Sequence, residues 1–140
     1  MAGQAHKDYS ETPLPAKLGI REGSEVLLVS APAGFTLGRL PPGVVLRQRA
    51  RLPLDVVVVF VTRRAELDRR FGVLAAALGN AGRLWVAWPK KAAAVPTDLT
   101  FEIVQRIGLD AGLVDNKSAS IDAVFQGLQF VIRLKDRSKS

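Results

Sequence analysis

Apolar positions in this chain fall into short dense runs separated by stretches of helical spacing. EVLLVSAP is nearly continuous and is stopped by Pro32 and Gly34, the pattern of a strand covered on both faces. After a brief FTLGRL segment, PPG leads into VVLRQRA, where Arg47 and Arg49 lie on one face and Leu46 and Gln48 on the other. That alternation predicts a half-exposed edge strand. DVVVVFVT is the strongest strand signal in the chain. Its run of stiff β-branched valines belongs in the middle of a sheet.

Thr62 is the predicted cap of a helix in which Leu67, Phe71, Leu74 and Leu78 recur on one face, with Glu66 and Arg70 as an i,i+4 pair and Gly79-Asn80 as its predicted end. RLWVAW reads as the next strand, and TDLTFEIVQRIG as a second helix with Thr97 as its predicted cap and Leu99, Ile103 and Ile107 on one stripe. GLVDNKSASID and GLQFVIRLK read as two strands joined through AVFQG, and TPLPAKLGIREG near the start predicts a short helical turn docking apolar residues onto the body.

The predicted order is strand, strand, strand, helix, strand, helix, strand, strand. Strands alternating with helices imply a mainly parallel sheet, with right-handed crossovers laying helices against its faces. The expected fold is a small α/β Rossmann-like three-layer sandwich. Its sheet is mainly parallel, of about six strands, closed by a C-terminal antiparallel hairpin. Residues 1–11 read as a flexible tail, 12–135 as a single domain and 136–140 as a basic tail. There is no internal repeat.

Composition narrows the class. With 140 residues, 48% of them hydrophobic, the chain is the size of one globular domain. The longest apolar run, Val56 to Val61, is far too short to span a bilayer. The N-terminus has no apolar core of a secretory signal, so a cytoplasmic location without membrane association is expected. The absence of cysteine removes disulfides, thiolate nucleophiles and cysteine metal sites. A net charge of +7 draws the chain towards polyanions, although the basic residues are dispersed and also serve solubility.

Few residues offer catalytic chemistry. His6 is the single histidine and lies in the tail, so no Ser–His–Asp arrangement is expected, and no GxSxG elbow surrounds Ser30. Asp110, Asp115 and Asp122 are the nearest approach to a metal set, but helix-end and turn duties account for them better, and neither metal nor cofactor is expected. Trp85 and Trp88 point to opposite faces of their strand and read as core.

The remaining candidate is geometric. In parallel α/β sheets ligands lie beyond the carboxyl ends of the strands, where strand order reverses. The residues expected there are Gly34 after the first strand, Thr62, Arg63 and Arg64 after the third, and Lys90 and Lys91 after the fourth. Four cations beside a helix N-terminus would favour an anion. The alternative is that they are ordinary polar strand ends, separately solvated.

The segments WPKK, TDLT and GLVDNK, with DVVVVFVT before them and GLQFVIR after, resemble the bacterial domain-of-unknown-function 3052 family over roughly residues 12–134. That resemblance implies identity and fold rather than an activity. The order of elements also resembles the back half of a class I S-adenosylmethionine-dependent methyltransferase, with one front strand and its helix missing. Such enzymes hold the cofactor by a glycine-rich turn after the first strand and a carboxylate ending the second. Here the turn is Ser30-Ala31-Pro32-Ala33-Gly34, and the second strand ends in Arg47, Gln48 and Arg49.

The reading is a non-catalytic binding or regulatory module with a basic rim for an anionic small molecule or polyanion. The alternatives are an atypical methyltransferase-like enzyme, or a nucleic-acid-binding protein using Arg47, Arg49, Arg51 and the basic C-terminus. An exposed edge strand or the closing hairpin would support a homodimer.

Overall fold

The computed structural model of the chain describes residues 12–137. The tail assigned to residues 1–11, with His6, and residues 138–140 of the basic tail lie outside the described residues. The elements run α1 (Leu14–Leu18), β1 (Glu25–Val29), β2 (Val45–Arg47), β3 (Leu54–Phe60), α2 (Arg64–Ala76), β4 (Leu78–Pro89), α3 (Phe101–Asp110), β5 (Leu113–Ser120) and β6 (Phe125–Ile132). They form one six-stranded sheet of order β2-β1-β3-β4-β6-β5. β2, β1, β3 and β4 are parallel, and β6 is antiparallel to both its neighbours, β4 and β5. The expected Rossmann-like α/β fold with a closing antiparallel hairpin is therefore what forms.

The valine run lies where its composition demands. β3 is flanked by β1 and β4, and Val57, Val58 and Val59 are completely buried. Successive residues serve opposite faces: Val57 and Val59 pack with Leu67, Phe71 and Leu84, whereas Val56 and Val58 pack with Leu18, Ile20 and Trp85. β2 is the expected edge strand, exposed at all three of its residues.

The layers are unequal. Both longer helices cover the same face, since Leu67, Phe71 and Leu74 of α2 share one core with Val104 and Ile107 of α3. The reason is handedness. The crossovers β3-α2-β4 and β4-α3-β5 progress in one direction along the sheet, so right-handed connections place both helices on one side. The β1-to-β2 connection runs the opposite way, and Phe35, Leu37 and Leu40 from it cover the back face together with α1. On the front, Gly108 lets α3 settle directly on the Phe130 ring, where any Cβ would collide. Phe130 in turn meets Phe71 edge to face at 5.3 Å.

Three local expectations are corrected. α2 stops at Ala76 rather than at Gly79-Asn80, because the Leu54 amide takes the Ala77 carbonyl at 2.8 Å and Leu78 pairs with Leu54 as the first residue of β4. Thr62 does not cap α2: Arg63 occupies the cap position with no side-chain hydrogen bond, and the Thr62 carbonyl accepts from the Thr97 hydroxyl at 2.6 Å. Thr97 does not cap α3 either. Thr100 does, its hydroxyl accepting from the Ile103 amide at 3.2 Å.

Candidate functional site

The parallel register decides where ligand chemistry would be placed. Val29 of β1 lies beside Val59 of β3, and Phe60 of β3 beside Ala87 of β4, so the segments following these three strands meet along one carboxyl border. The order in which strands are added reverses between the parallel strands β1 and β3, with β2 to one side and β4 to the other. The turn after β1 is tight: Ser30 has φ 59° and Gly34 φ 83°, and the space around a Cβ at Gly34 is open.

The basic residues that follow β3 and β4 differ in their partners. The amide of Arg64, first in α2, donates to Asp98 Oδ1 at 2.7 Å. The Arg64 guanidinium lies 3.8 Å from Asp68. The helix N-terminus, a natural seat for an anion, thus already holds one of the chain's own carboxylates. Lys90 is also engaged. Its ammonium donates to Ser120 Oγ and to the Asp122 carbonyl, both at 2.7 Å, while its amide donates to the Val124 carbonyl at 2.7 Å. This lysine ties the end of β4 to the β5–β6 turn.

Arg63 and Lys91 are exposed, and among the described residues neither side chain has a partner. Arg63 and Thr62 line a crevice of about 220 Å³ with Pro96, Thr97 and Asp98. On the other side of Lys90, a groove of about 370 Å³ runs past Trp88, Phe101, Ser118 and Gln126. Trp88 itself is core, 2% exposed.

Asp98 answers a backbone donor of α2 and not a side-chain cation. It stands beside the Arg64 amide although 34 residues separate them in the chain. The only signal was its place in TDLT, ahead of a helix it does not cap. Asp122 and Asp110 follow the expected turn and helix-end duties, whereas Asp115 lies within β5. Asp122 Oδ1 accepts from the amides of Val124 and Phe125, each at 2.8 Å, Asp110 pairs loosely with Arg106, and Asp115 accepts from Gln105. Among the described residues no three His, Cys, Asp or Glu side chains come together as a metal set, and no helix is long and apolar enough to cross a membrane.

Away from the border, along the β1–β2 edge, Arg47 at the end of β2 bonds Glu25, the first residue of β1, at 2.6 Å. The hydrogen bond from Arg47 holds the Glu25 carboxyl below its ordinary range, and the same bond raises the guanidinium. Gln48 and Arg49 continue from β2, so the position beyond β2 carries cation and amide and no carboxylate.

The geometry matches a known group of structures. A SAM-dependent methyltransferase from Aquifex aeolicus superposes with a TM-score of 0.61 at 17% identity, over 86% of this chain and 88% of that one. The fold is methyltransferase-like. A TehB-like SAM-dependent methyltransferase from Corynebacterium glutamicum follows at 0.56 and 12% identity, over 92% and 91% of the two chains. A possible exported protein from Bordetella parapertussis reaches 0.57 at 12% identity, with 85% of this chain covered. The chain spans only part of the larger neighbours: 65% of that protein, and 51% of a magnesium protoporphyrin IX methyltransferase from Synechocystis PCC 6803. No protein-family model and no curated protein matches the chain, so the kinship to the domain-of-unknown-function 3052 family is not supported.

Proposed function

We propose that this chain is a methyltransferase-like protein that takes its ligand at the carboxyl border between β1 and β3. The observation carrying the proposal is the reversal of strand order there, beside a left-handed turn at Ser30 and Gly34, in a fold shared over most of both chains with a SAM-dependent methyltransferase. Ligands of such sheets lie at that reversal.

The residues fit S-adenosylmethionine at one end only. The turn after β1 leaves its backbone open to close approach at Gly34. At the end of β2, ribose hydroxyls would meet Gln48 and Arg49 rather than a carboxylate. No methyl-transfer step is therefore assigned to named residues.

Calorimetric titration with S-adenosylmethionine and with its demethylated product tests the proposal. Saturable heat that disappears when Ala33 is enlarged to Trp supports it. The absence of heat at about millimolar ligand, the weak end of specific affinity, ends it.

A second reading is favoured by Arg63 and Lys91, which have no side-chain partner among the described residues: a non-catalytic module holding an anion at the same border, with Thr62 and Gly34 beside it. In that case anion binding is lost in the double variant Arg63→Ala, Lys91→Ala while thermal stability is kept. Unchanged anion binding in that variant excludes it.

A further inference from the structure

The sheet face away from α2 and α3 carries a second group of cations, unrelated to the carboxyl border. Arg83 of β4 and Lys117 of β5 project there, beside Lys17 and Arg21, which straddle the end of α1. Their mutual influence is direct. Burial first, and then the charge of Arg21, push the Arg83 guanidinium below its ordinary range. Burial, then Arg83, then Lys17 do the same to the Lys117 ammonium. Among the described residues no carboxylate comes within ion-pair range of any of the four.

Neutral groups hold Arg83 and Lys117 in place. Arg83 lies across Gly19, where φ is 85° and a Cβ would run into the guanidinium. Arg83 Nη1 reaches Gln129 Oε1 at 3.4 Å, and the buried Gln129 donates through Nε2 to Asn116 Oδ1 at 2.7 Å. Lys117 Nζ donates to the Lys17 carbonyl at 2.8 Å and stands 5.9 Å from the centre of the Trp85 ring. The Trp85 indole N–H donates to the Leu18 carbonyl at 3.0 Å. Each contact fixes a position and none neutralises a charge.

A solvated surface lysine is free to swing away from its like-charged neighbours. Arg83 is half-buried and fixed by dipoles beside other cations, and Lys117, although exposed, is tethered to the Lys17 carbonyl. That arrangement raises the free energy of the empty site, and an arriving anion recovers it. A guanidinium fork next to an ammonium point charge suits the oxygens of a tetrahedral dianion better than a single carboxylate. We propose that Arg83, Lys117, Lys17 and Arg21 form a phosphate-binding site on the back face of the sheet. Arg83 pairs with Val56 near the start of β3, so the site lies about 20 Å along β4 from the border at Pro89.

The test is a titration of the full chain with inorganic phosphate at an ionic strength held constant with chloride, followed by the Trp85 indole N–H resonance and by the melting temperature. The expected result is a saturable shift at Trp85 with Trp88 unmoved, and a rise in melting temperature. Arg83→Gln and Lys117→Gln should each weaken phosphate at least about tenfold, the loss of one charge-assisted contact. Arg106→Gln, at an exposed pair on α3, should not weaken it. If Arg83→Gln fails to fold, the double variant Lys17→Gln, Arg21→Gln carries the same expectation.

A short single-stranded oligonucleotide distinguishes the source of the phosphate. Competition with inorganic phosphate at Trp85, with affinity falling linearly on a log–log salt plot, points to a nucleic-acid backbone. Phosphate binding without oligonucleotide binding points to a small phosphate ester. A phosphate effect equal to that of chloride, or one that persists in the Arg83 and Lys117 variants, overturns the site.

Discussion

The carboxyl border and the back face of this sheet use the same basic side chains in opposite ways. At the border, Lys90 is bound to a hydroxyl and a carbonyl of the neighbouring hairpin, and the Arg64 amide and guanidinium face Asp98 and Asp68. Those groups hold the chain together. On the back face, Arg83 and Lys117 are fixed by an amide, a carbonyl and an indole ring, with no described carboxylate to answer them. A count of lysines and arginines cannot separate the two cases. What separates Arg64 from Arg83 and Lys117 is whether a partner carries a charge, because a dipole orients a cation without cancelling it.

The comparison can be broken from the back face first. Trp85 is completely buried, supports Lys117 and bonds α1, so Trp85→Ala should lower unfolding free energy by about 3–5 kcal/mol in a denaturant titration. A smaller loss would mean that α1 and the back-face cations do not depend on that ring.

The next largest effect is expected at Asp98. Removing its carboxylate in Asp98→Ala leaves the amino end of α2 without its acceptor and should cost about 1 kcal/mol, the usual worth of a cap. The same variant should make the border resemble the back face, gaining a phosphate-dependent rise in melting temperature that Arg83→Gln does not remove. Retained stability would show that solvent replaces Asp98 fully.

Lys90→Ala sharpens the distinction between holding and binding. Loss of its contacts to Ser120 and Asp122 should destabilise by about 1 kcal/mol, whereas Lys91→Ala, lacking a described partner, should be neutral within a few tenths. Equal melting temperatures for the two variants would return Lys90 to the ligand-binding group.

The smallest effect is the acid limb set by Glu25. Its pKa is lowered by Arg47, so the stabilisation is present above the unfolded-state pKa and is lost as pH falls through the lower folded value. Glu25→Gln should flatten that limb of the stability–pH curve slightly and lower neutral stability by the same small amount, since the pair is exposed. A limb unchanged in the variant would assign acid sensitivity to other carboxylates.

Much of the architecture was legible before any coordinates. The valine run became the strand between β1 and β4, the Arg-rich strand became an edge, and the Glu66–Arg70 pair formed at 3.3 Å. Each rests on periodicity or on neighbours within one turn of helix, which a chain carries locally. The misplaced caps show the limit. Thr62 and Thr97 have the right chemistry in the right neighbourhood, yet they bond to each other across the border, while Asp98 and Thr100 satisfy the helix starts. Position relative to a helix start was readable only to within a few residues.

By itself, then, the order of residues determined the element types, the central and edge strands and the faces that are buried, because backbone geometry and hydrophobic pattern act over short range. Tertiary structure alone decided which cations are partnered. Lys117 meets the Lys17 carbonyl across 100 positions, Trp85 meets Leu18 across 67, and Arg83 meets Gln129 across 46. Contacts of that span arise only when the sheet places β4, β6 and β5 side by side against α1. The charge state and reach of a side chain depend on those neighbours far more than on its place in the chain.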